Sequence, residues 1–177
     1  MLLQDVVIRG ESPVHDAAIH ALHEEAFGPG RFARAAERVR EGGGHDPALS
    51  FVALRGEELL GSVRMTPIVI GAVRENHERG HLLGPLAVRP DAKHHGVGRA
   101  LIERAAAAAC GEGSVFTLLV GDLSYYGRHG FVPIKGPILP GPVDPTRLLV
   151  RWHGEAGPLT GPVIHAARGM VRRPNAP

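Results

Sequence analysis

The chain has only one cysteine, Cys110, among its 177 residues. A single thiol cannot form an intrachain disulfide, so the disulfide-stabilised class of small secreted domains is excluded. The sequence also lacks an apolar run of the roughly 20 residues that a membrane-spanning helix needs, and its N-terminus lacks the layout of a signal peptide. These absences predict a cytoplasmic protein with no membrane partner.

Excess charge of either sign is also scarce. The chain carries 20 Lys and Arg against 18 Asp and Glu, a formal net charge of +2 with histidine neutral, and it has no dense block of Lys and Arg. Surfaces that bind nucleic acids are usually strongly basic, so no nucleic-acid partner is expected. No G-x-x-x-x-G-K-[ST] run is present, which argues against a P-loop nucleotide hydrolase.

The chain does contain enough apolar material for a core, since 44% of its residues are hydrophobic. That content and the length predict one soluble domain over residues 1–177, in which 154–177 form a C-terminal extension with a candidate strand at 163–166. Helical and strand-like spacings alternate, which is typical of mixed α/β proteins. Strands are predicted at 6–9, 49–54, 59–70, 81–88, 115–120, 131–134 and 148–152.

The predicted helices are bounded by glycine, proline and capping residues. The first ends at the Gly28-Pro29-Gly30 run, the second covers about 31–40 and stops at 42–44, and short helical turns follow Asp122. The glycines at 42–44 predict a mobile connection, and the proline-rich stretch 136–145 predicts a loop. The spacing places Val14, Ala18, Leu22 and Phe27 on the buried face of the first helix.

A glycine-bearing loop at 93–98 leads into the longest predicted helix, which ends at Gly111 and Gly113. The first N–H groups of a helix lack partners and carry a partial positive charge, so such an entrance can bind a phosphate. By spacing alone, an anion site and a plain helix-start turn fit equally well. One face of the helix is apolar, with Val97, Leu101, Ile102, Ala105 and Ala109.

Two features beside this loop favour a ligand site. Pro85, in the strand upstream, cannot donate to a sheet ladder, so we expect a bulge or a parting of strands there. Parted strands would leave the backbone of 86–88 free to pair with an extended ligand. The second feature is the aromatic run Tyr125-Tyr126 followed by Gly130-Phe131, which comes after the next predicted strand.

Together these segments resemble the GNAT superfamily of acyl-CoA N-acyltransferases over roughly residues 49–135. The family's loop pattern is [QR]-x-x-G-x-[GA], its preceding strand ends in V-x-P, and its downstream motif is Y-x-x-x-G-F. This chain has Lys93-x-x-Gly96-x-Gly98, Leu86-Ala87-Val88-Arg89-Pro90, and Tyr126 to Phe131 in the same order and at matching separations.

The resemblance implies a mixed, mostly antiparallel sheet flanked by helices, with splayed central strands. It implies an enzyme that transfers acetyl from acetyl-CoA to a primary amine by direct attack, without metal. Tyr126 would be the general acid, and a backbone N–H near Leu86 would stabilise the oxyanion. The implied cofactor-binding residues are Leu86, Ala87, Val88, Lys93, His94, His95, Gly96, Val97, Gly98, Arg99 and Ala100. The amine acceptor is not readable, and a homodimer, common in such domains, stays open.

The chain also departs from the family pattern. Lys93 replaces Gln or Arg at the start of the loop, and His94 and His95 add bulk. The Asn that many members carry before the tyrosine helix is absent; Asp122 stands nearby as a candidate helix cap. Leu82 occupies about the position at which some members have a Glu base, so water or His81 is left to take the proton of the amine.

Two alternative functions remain. His77, Glu78 and His81 match H-E-x-x-H, in which two histidines on one helical face bind zinc and the Glu activates water. Gly80 within the motif and Pro85 after it disfavour a helix, and Ala87 stands where the longer form of the motif has its third histidine. A turn is therefore expected at this motif. The second alternative is a non-catalytic acyl-CoA sensor on the same fold, which the presence of Tyr126 disfavours.

Overall fold

The architecture is that of a computed structural model, which describes residues 5–30, 35–71 and 78–169. Nine strands and five helices lie in these residues. The strands are β1 (Val7–Gly10), β2 (Phe51–Arg55), β3 (Glu58–Ile70), β4 (Glu78–Val88), β5 (Phe116–Val120), β6 (Val132–Pro133), β7 (Pro137–Ile138), β8 (Leu148–Trp152) and β9 (Gly161–His165). The helices are α1 (Asp16–Phe27), α2 (Ala35–Arg40), α3 (Val97–Gly111), α4 (Leu123–Tyr126) and α5 (Ala166–Gly169).

The strands form one sheet in the order β1-β2-β3-β4-β5-β8-β6. Along this path only β4 and β5 are parallel; the other neighbours are antiparallel. The far half of β3 pairs with β9, which comes from the predicted C-terminal extension, and β9 pairs in parallel with the short β7. The predicted fold, a mixed and mostly antiparallel sheet flanked by helices, is confirmed.

The alternation of side chains along the strands builds a core on each face of the sheet. Val63 and Met65 of β3 join the apolar face of α3, whereas Ile68 and Ile70 point to the opposite face and pack with α2. A smaller cluster joins α1 to β2 on that second face. The helices therefore lie in two layers with the sheet between them. No helix in the described parts of the chain combines the length and the hydropathy that a bilayer span requires.

The sheet is irregular at its centre. Val63 pairs with Leu86, but Met65 pairs with Leu83, so β4 contains one extra residue in the bulge around Gly84 and Pro85. On its other edge β4 pairs with β5 only from Gly80 to Leu82. The bulge and the parting of the strands expected from Pro85 are both present.

Several local expectations were wrong. The buried residues of α1 are Ile19, Leu22 and His23, whereas Val14 is 84% exposed. The ring of His23 can be buried because its Nε2 lies 2.9 Å from the hydroxyl of Ser62 and so has a hydrogen-bond partner. Ala18 is also exposed. Residues 31–34, which begin the second predicted helix, and the predicted frayed end at 172–177 lie outside the described residues.

Two predicted connections are more structured than expected. The glycines at 42–44 make specific contacts with β9. The ring of His165 packs on Gly43, and Nε2 of His165 lies 2.9 Å from the carbonyl oxygen of Gly44. The loop predicted at 136–145 contains β7, which pairs with β9.

Candidate functional site

A cleft of about 750 Å³ opens where β4 and β5 part. Its walls come from the end of β4, the entrance of α3 and the segment around α4. The lining residues are Leu86, Val88, Lys93, His94, Gly96, Gly98, Arg99, Gly121, Asp122, Tyr125, Tyr126, Arg128, His129 and Arg147. The cleft thus unites the three segments that the sequence motifs singled out.

The entrance of α3 presents a run of free backbone donors to this cleft. His94 and Gly96 adopt left-handed conformations, with φ of 65° and 84°, and the helix begins at Val97. The first helical hydrogen bond here runs from Ala100 N–H to the carbonyl of Gly96 at 2.9 Å. Among the described residues, the N–H groups of 94–99 have no acceptor. An anion placed here would receive several hydrogen bonds and the favourable end of the helix dipole.

The predicted cofactor-binding residues of this loop divide into two groups. Five of them line the cleft: Lys93, His94, Gly96, Gly98 and Arg99. His95, Val97 and Ala100 do not, and Val97 is 1% exposed within the core under α3. These three residues can therefore offer the cleft only their backbone.

The strand side of the cleft follows the alternation of β4. Leu86 and Val88 line it, whereas the side chain of Ala87 is 4% exposed and points to the other face. Beyond Leu82 the edge of β4 that faces β5 has no pairing with β5. An extended ligand can approach that edge as an added strand does.

Two tyrosines form the wall opposite the helix entrance. The ring of Tyr126 fills the space beside Gly121 and meets Phe131 edge-on, with ring centres 5.9 Å apart. The Tyr125 and Tyr126 rings are perpendicular at 4.9 Å, and the hydroxyl of Tyr125 reaches Gly98. Burial, followed by the nearby Tyr125 and Asp122, raises the pKa of Tyr126 to about 12, so its hydroxyl keeps its proton at neutral pH.

A family model described as an acetyltransferase (GNAT) domain matches residues 46–133. An uncharacterized N-acetyltransferase of Escherichia coli K12, YjhQ, is 30% identical over 118 residues, which make up 67% of this chain and 65% of that protein. The chain belongs to the GNAT superfamily. The match thus spans just under two thirds of the length of YjhQ.

Solved GNAT structures extend the likeness to the fold. A Brucella melitensis GNAT acetyltransferase in complex with acetyl-CoA is 29% identical, with a TM-score of 0.66 over 92% of this chain and 97% of that one. The E. coli GNAT N-acetyltransferase YhbS in complex with CoA is 22% identical, with a TM-score of 0.73 over 91% and 89% of the two chains. The resemblance inferred from the sequence motifs is confirmed.

The cleft of this GNAT chain has residues that sequence reasoning missed. Arg147 lies just before β8, and the hydrogen bond from Gly121 N–H to its carbonyl, 2.8 Å long, brings it to the cleft. Its Nε lies 3.3 Å from Oδ1 of Asp122. Asp122 occupies the N-cap position of α4, but its side chain makes no cap hydrogen bond and faces Arg147 instead. No local signal in the sequence connects these two residues, because strand pairing brings them together.

Arg128 and His129, within the tyrosine motif, were also missed as lining residues. His129 is 5% exposed, and its Nδ1 lies 3.5 Å from Oε1 of Glu103 on α3. Burial lowers the pKa of His129, although Glu103 acts in the opposite direction. The sequence did contain a signal for these two lining residues, because both are basic and both lie at variable positions of the motif, close to the predicted acid Tyr126.

His81, a predicted candidate for the base, does not lie in the cleft. Its Nδ1 is 3.1 Å from the hydroxyl of Ser114, which follows the far end of α3. Burial lowers the pKa of His81, against the opposing charges of Asp46 and Glu112. A 15-residue helix is about 22 Å long, so His81 is remote from the entrance of α3.

The zinc motif is not on a helix. Glu78 and His81 lie on β4, where a spacing of three residues puts their side chains on opposite faces. His77 lies outside the described residues. A turn was expected here, but the strand already begins at Glu78. Among described residues, no group of three or more His, Cys, Asp or Glu is arranged to hold a metal ion.

Proposed function

We propose that this protein is an N-acetyltransferase that moves the acetyl group of acetyl-CoA to a primary amine by direct attack. The observation that carries the proposal is the row of free N–H groups at the entrance of α3, opening into a cleft that continues along the unpaired edge of β4. A diphosphate and an extended pantetheine arm match these two features in order. The acetyl-CoA complex of the 29% identical relative supports the same ligand.

The diphosphate of CoA would bind the N–H groups of 94–99, with Lys93 and Arg99 supplying charge at the rim. The pantetheine arm would pair with the backbone of 86–88. This arrangement brings the thioester to the end of the parted strands, beside Tyr126. A backbone N–H near Leu86 would donate to the carbonyl oxygen as it gains negative charge.

In the reaction, the amine nitrogen forms a bond to the acetyl carbon, and the bond between that carbon and sulfur breaks. The amine loses one proton to water, and the sulfur finally gains one. A phenol with a pKa of about 12 is a weaker acid than an alkyl thiol, which ionises near pH 8.5, so full transfer to sulfur is uphill by about 5 kcal/mol. Tyr126 would therefore act chiefly as a hydrogen-bond donor to the departing thiolate. Holding amine and thioester together would supply much of the acceleration.

The test combines binding with turnover. Acetyl-CoA should raise the melting temperature, because a ligand at 100 times its dissociation constant stabilises by about 2.7 kcal/mol. Release of free thiol should then depend on an added amine. No shift at millimolar acetyl-CoA would refute the proposal. Binding without turnover of any amine would instead favour the acyl-CoA sensor. A cytoplasmic location and a single domain over 1–177 remain predictions, and the oligomeric state stays open.

A further inference from the structure

The face of the sheet opposite α3 carries a polar stripe on β3. Ser62, Arg64 and Thr66 alternate with the apolar residues of the other face, and both Ser62 and Thr66 are fully buried. The stripe lies between the apolar cluster under α1 and the one under α2. A buried polar stripe costs free energy unless its groups find partners, yet the hydroxyl of Thr66 has none among the described residues.

Two arginines converge where this stripe meets the bulge of β4. Since Val63 pairs with Leu86 and Met65 with Leu83, Arg64 lies opposite the bulge. Arg40 reaches the same place from α2. The position that a Cβ on Gly84 would take is 3.2 Å from Nη2 of Arg40 and 3.9 Å from the backbone nitrogen of Leu86. The guanidinium of Arg40 and the backbone N–H of Leu86, the proposed oxyanion donor, are therefore close enough for one small molecule to contact both.

The two guanidinium groups differ in what they hold. Arg64 binds Glu11 in the bidentate manner, with Nε 3.0 Å from Oε2 and Nη2 2.6 Å from Oε1. Arg40 donates through Nη1 to Oε2 of Glu37 at 2.8 Å. Its Nε is buried and has no acceptor among the described residues. The edge formed by Nε and Nη2, which can bind both oxygens of a carboxylate, is therefore unoccupied in Arg40. In Arg64 the same edge binds the carboxylate of Glu11.

An unoccupied guanidinium edge is unusual in the environment of Arg40. Burial lowers its pKa, Glu37 opposes that effect, and the charge of Arg64 adds to it. A buried donor without a partner costs free energy, and the cost is larger when the group is charged. The side chain nonetheless keeps 15% of its surface exposed, so it is not sealed from solvent. An anion that binds the free edge would satisfy Nε and offset the repulsion between the two guanidinium groups.

We propose that the Nε–Nη2 edge of Arg40 binds a carboxylate of the acceptor, so that the acceptor is a small amino acid or a similar amine with a carboxylate a few bonds from its amino group. This inference rests on the proposed acetyl transfer. The carboxylate at Arg40 would hold the amino group beside the bulge of β4, next to the acetyl carbonyl. Glu37 would keep the guanidinium oriented through Nη1.

The test measures thiol release from acetyl-CoA with matched acceptor pairs: each standard amino acid against its amide, with n-propylamine as an amine without a carboxylate. The best acid should exceed its own amide at least tenfold in kcat/KM, since a charged hydrogen bond contributes about 1.5–3 kcal/mol. In Arg40→Gln that ratio should fall toward one through the KM for the acceptor, while the dissociation constant of acetyl-CoA stays unchanged. Arg40→Lys, which keeps the charge but lacks the fork, should be intermediate.

Arg55→Gln serves as the control, because Arg55 lies at the β2–β3 hairpin, where it pairs with Glu58; the acid-to-amide ratio should stay at its wild-type value. The comparison of acid with amide also works on the wild-type protein alone, if Arg40 variants do not fold. Amides or n-propylamine turned over as well as the acids would overturn the carboxylate assignment and leave acetyl transfer standing. Turnover of none of the acids, when calorimetry shows acetyl-CoA binding, would also overturn the carboxylate assignment. Absence of acetyl-CoA binding would overturn both.

Discussion

The phenol oxygen of Tyr125 lies over Gly98, in the space that a Cβ on this glycine would fill. Gly98 is in the first turn of α3, and its N–H group is one of those proposed to bind the diphosphate. The missing side chain leaves room for the Tyr125 hydroxyl on the cleft side, and it would also let an anion approach the backbone. The family's loop pattern accepts Gly or Ala at this last position, whereas the Tyr125 hydroxyl leaves no room for the methyl group of Ala in this chain.

We predict that Gly98→Ala weakens acetyl-CoA binding at least tenfold, because the new methyl group collides with the Tyr125 hydroxyl and pushes that ring into the cleft. Isothermal calorimetry measures the change. Gly111→Ala is the matched control at the other end of the same helix, where a Cβ would meet nothing within 4 Å. Tyr125→Phe in the Gly98→Ala background removes the colliding oxygen and should recover part of the affinity. Equal binding by Gly98→Ala and wild type would contradict this account.

Tyr126→Phe should lower kcat by about 10- to 100-fold while changing the dissociation constant of acetyl-CoA less than threefold. The aromatic ring still packs against Gly121 and Phe131, so only the donor to sulfur is lost. Steady-state kinetics and calorimetry on one preparation separate the two quantities. Tyr125→Phe is the control and should keep most of kcat. If Tyr125→Phe were the slower variant, the proton donor would be the neighbouring tyrosine.

Acid should destabilise the protein through Glu11. Burial alone would raise the pKa of this carboxyl, but hydrogen bonds from His45 and Arg64 lower it to about 2. The folded state thus has the lower pKa, so the stabilisation is present above about pH 4.5 and is lost as the pH falls toward 2. At pH 3 wild type should have lost about 2 kcal/mol of the free energy of unfolding through this group.

Urea unfolding at pH 6 and pH 3 checks this prediction, with Glu11→Gln as the variant that lacks the titrating group. The variant should be less stable than wild type at pH 6 and should lose less stability on acidification. Glu57→Gln, at an exposed position of the β2–β3 hairpin, should follow wild type. Parallel pH dependence of Glu11→Gln and wild type would show that the ion pair with Arg64 contributes no net stability.

The zinc peptidase alternative predicts that activity depends on a metal ion, which we do not expect. Glu78 and His81 point to opposite faces of β4, so they cannot share a zinc ion as they would on a helix. Thiol release should therefore be unaffected by EDTA, and His81→Ala should retain acetyl-CoA-dependent activity. Elemental analysis that found one zinc per chain, lost in His81→Ala, would revive the peptidase.

Local sequence patterns were sufficient to predict much of the fold and the side of the cleft that is proposed to bind acetyl-CoA. The apolar face of α3, the glycines at its entrance and Pro85 in β4 each act through neighbours in sequence, so spacing predicts their effect. The face of α1 was predicted wrongly because His23 is buried through a hydrogen bond to Ser62, 39 residues away. Arg147 and Arg40 were missed for the same reason: their positions depend on strand pairing and on helix packing, which no local pattern encodes.

The contact between His165 and the glycines at 43 and 44 joins the tail of the chain to the residues that directly follow Arg40. The family match, at 46–133, includes neither partner. The guanidinium proposed to select the acceptor would therefore depend on a contact between two segments that both lie outside residues 46–133. Substitutions in either segment would then alter the preference for the acceptor while leaving the residues proposed for acetyl-CoA unchanged.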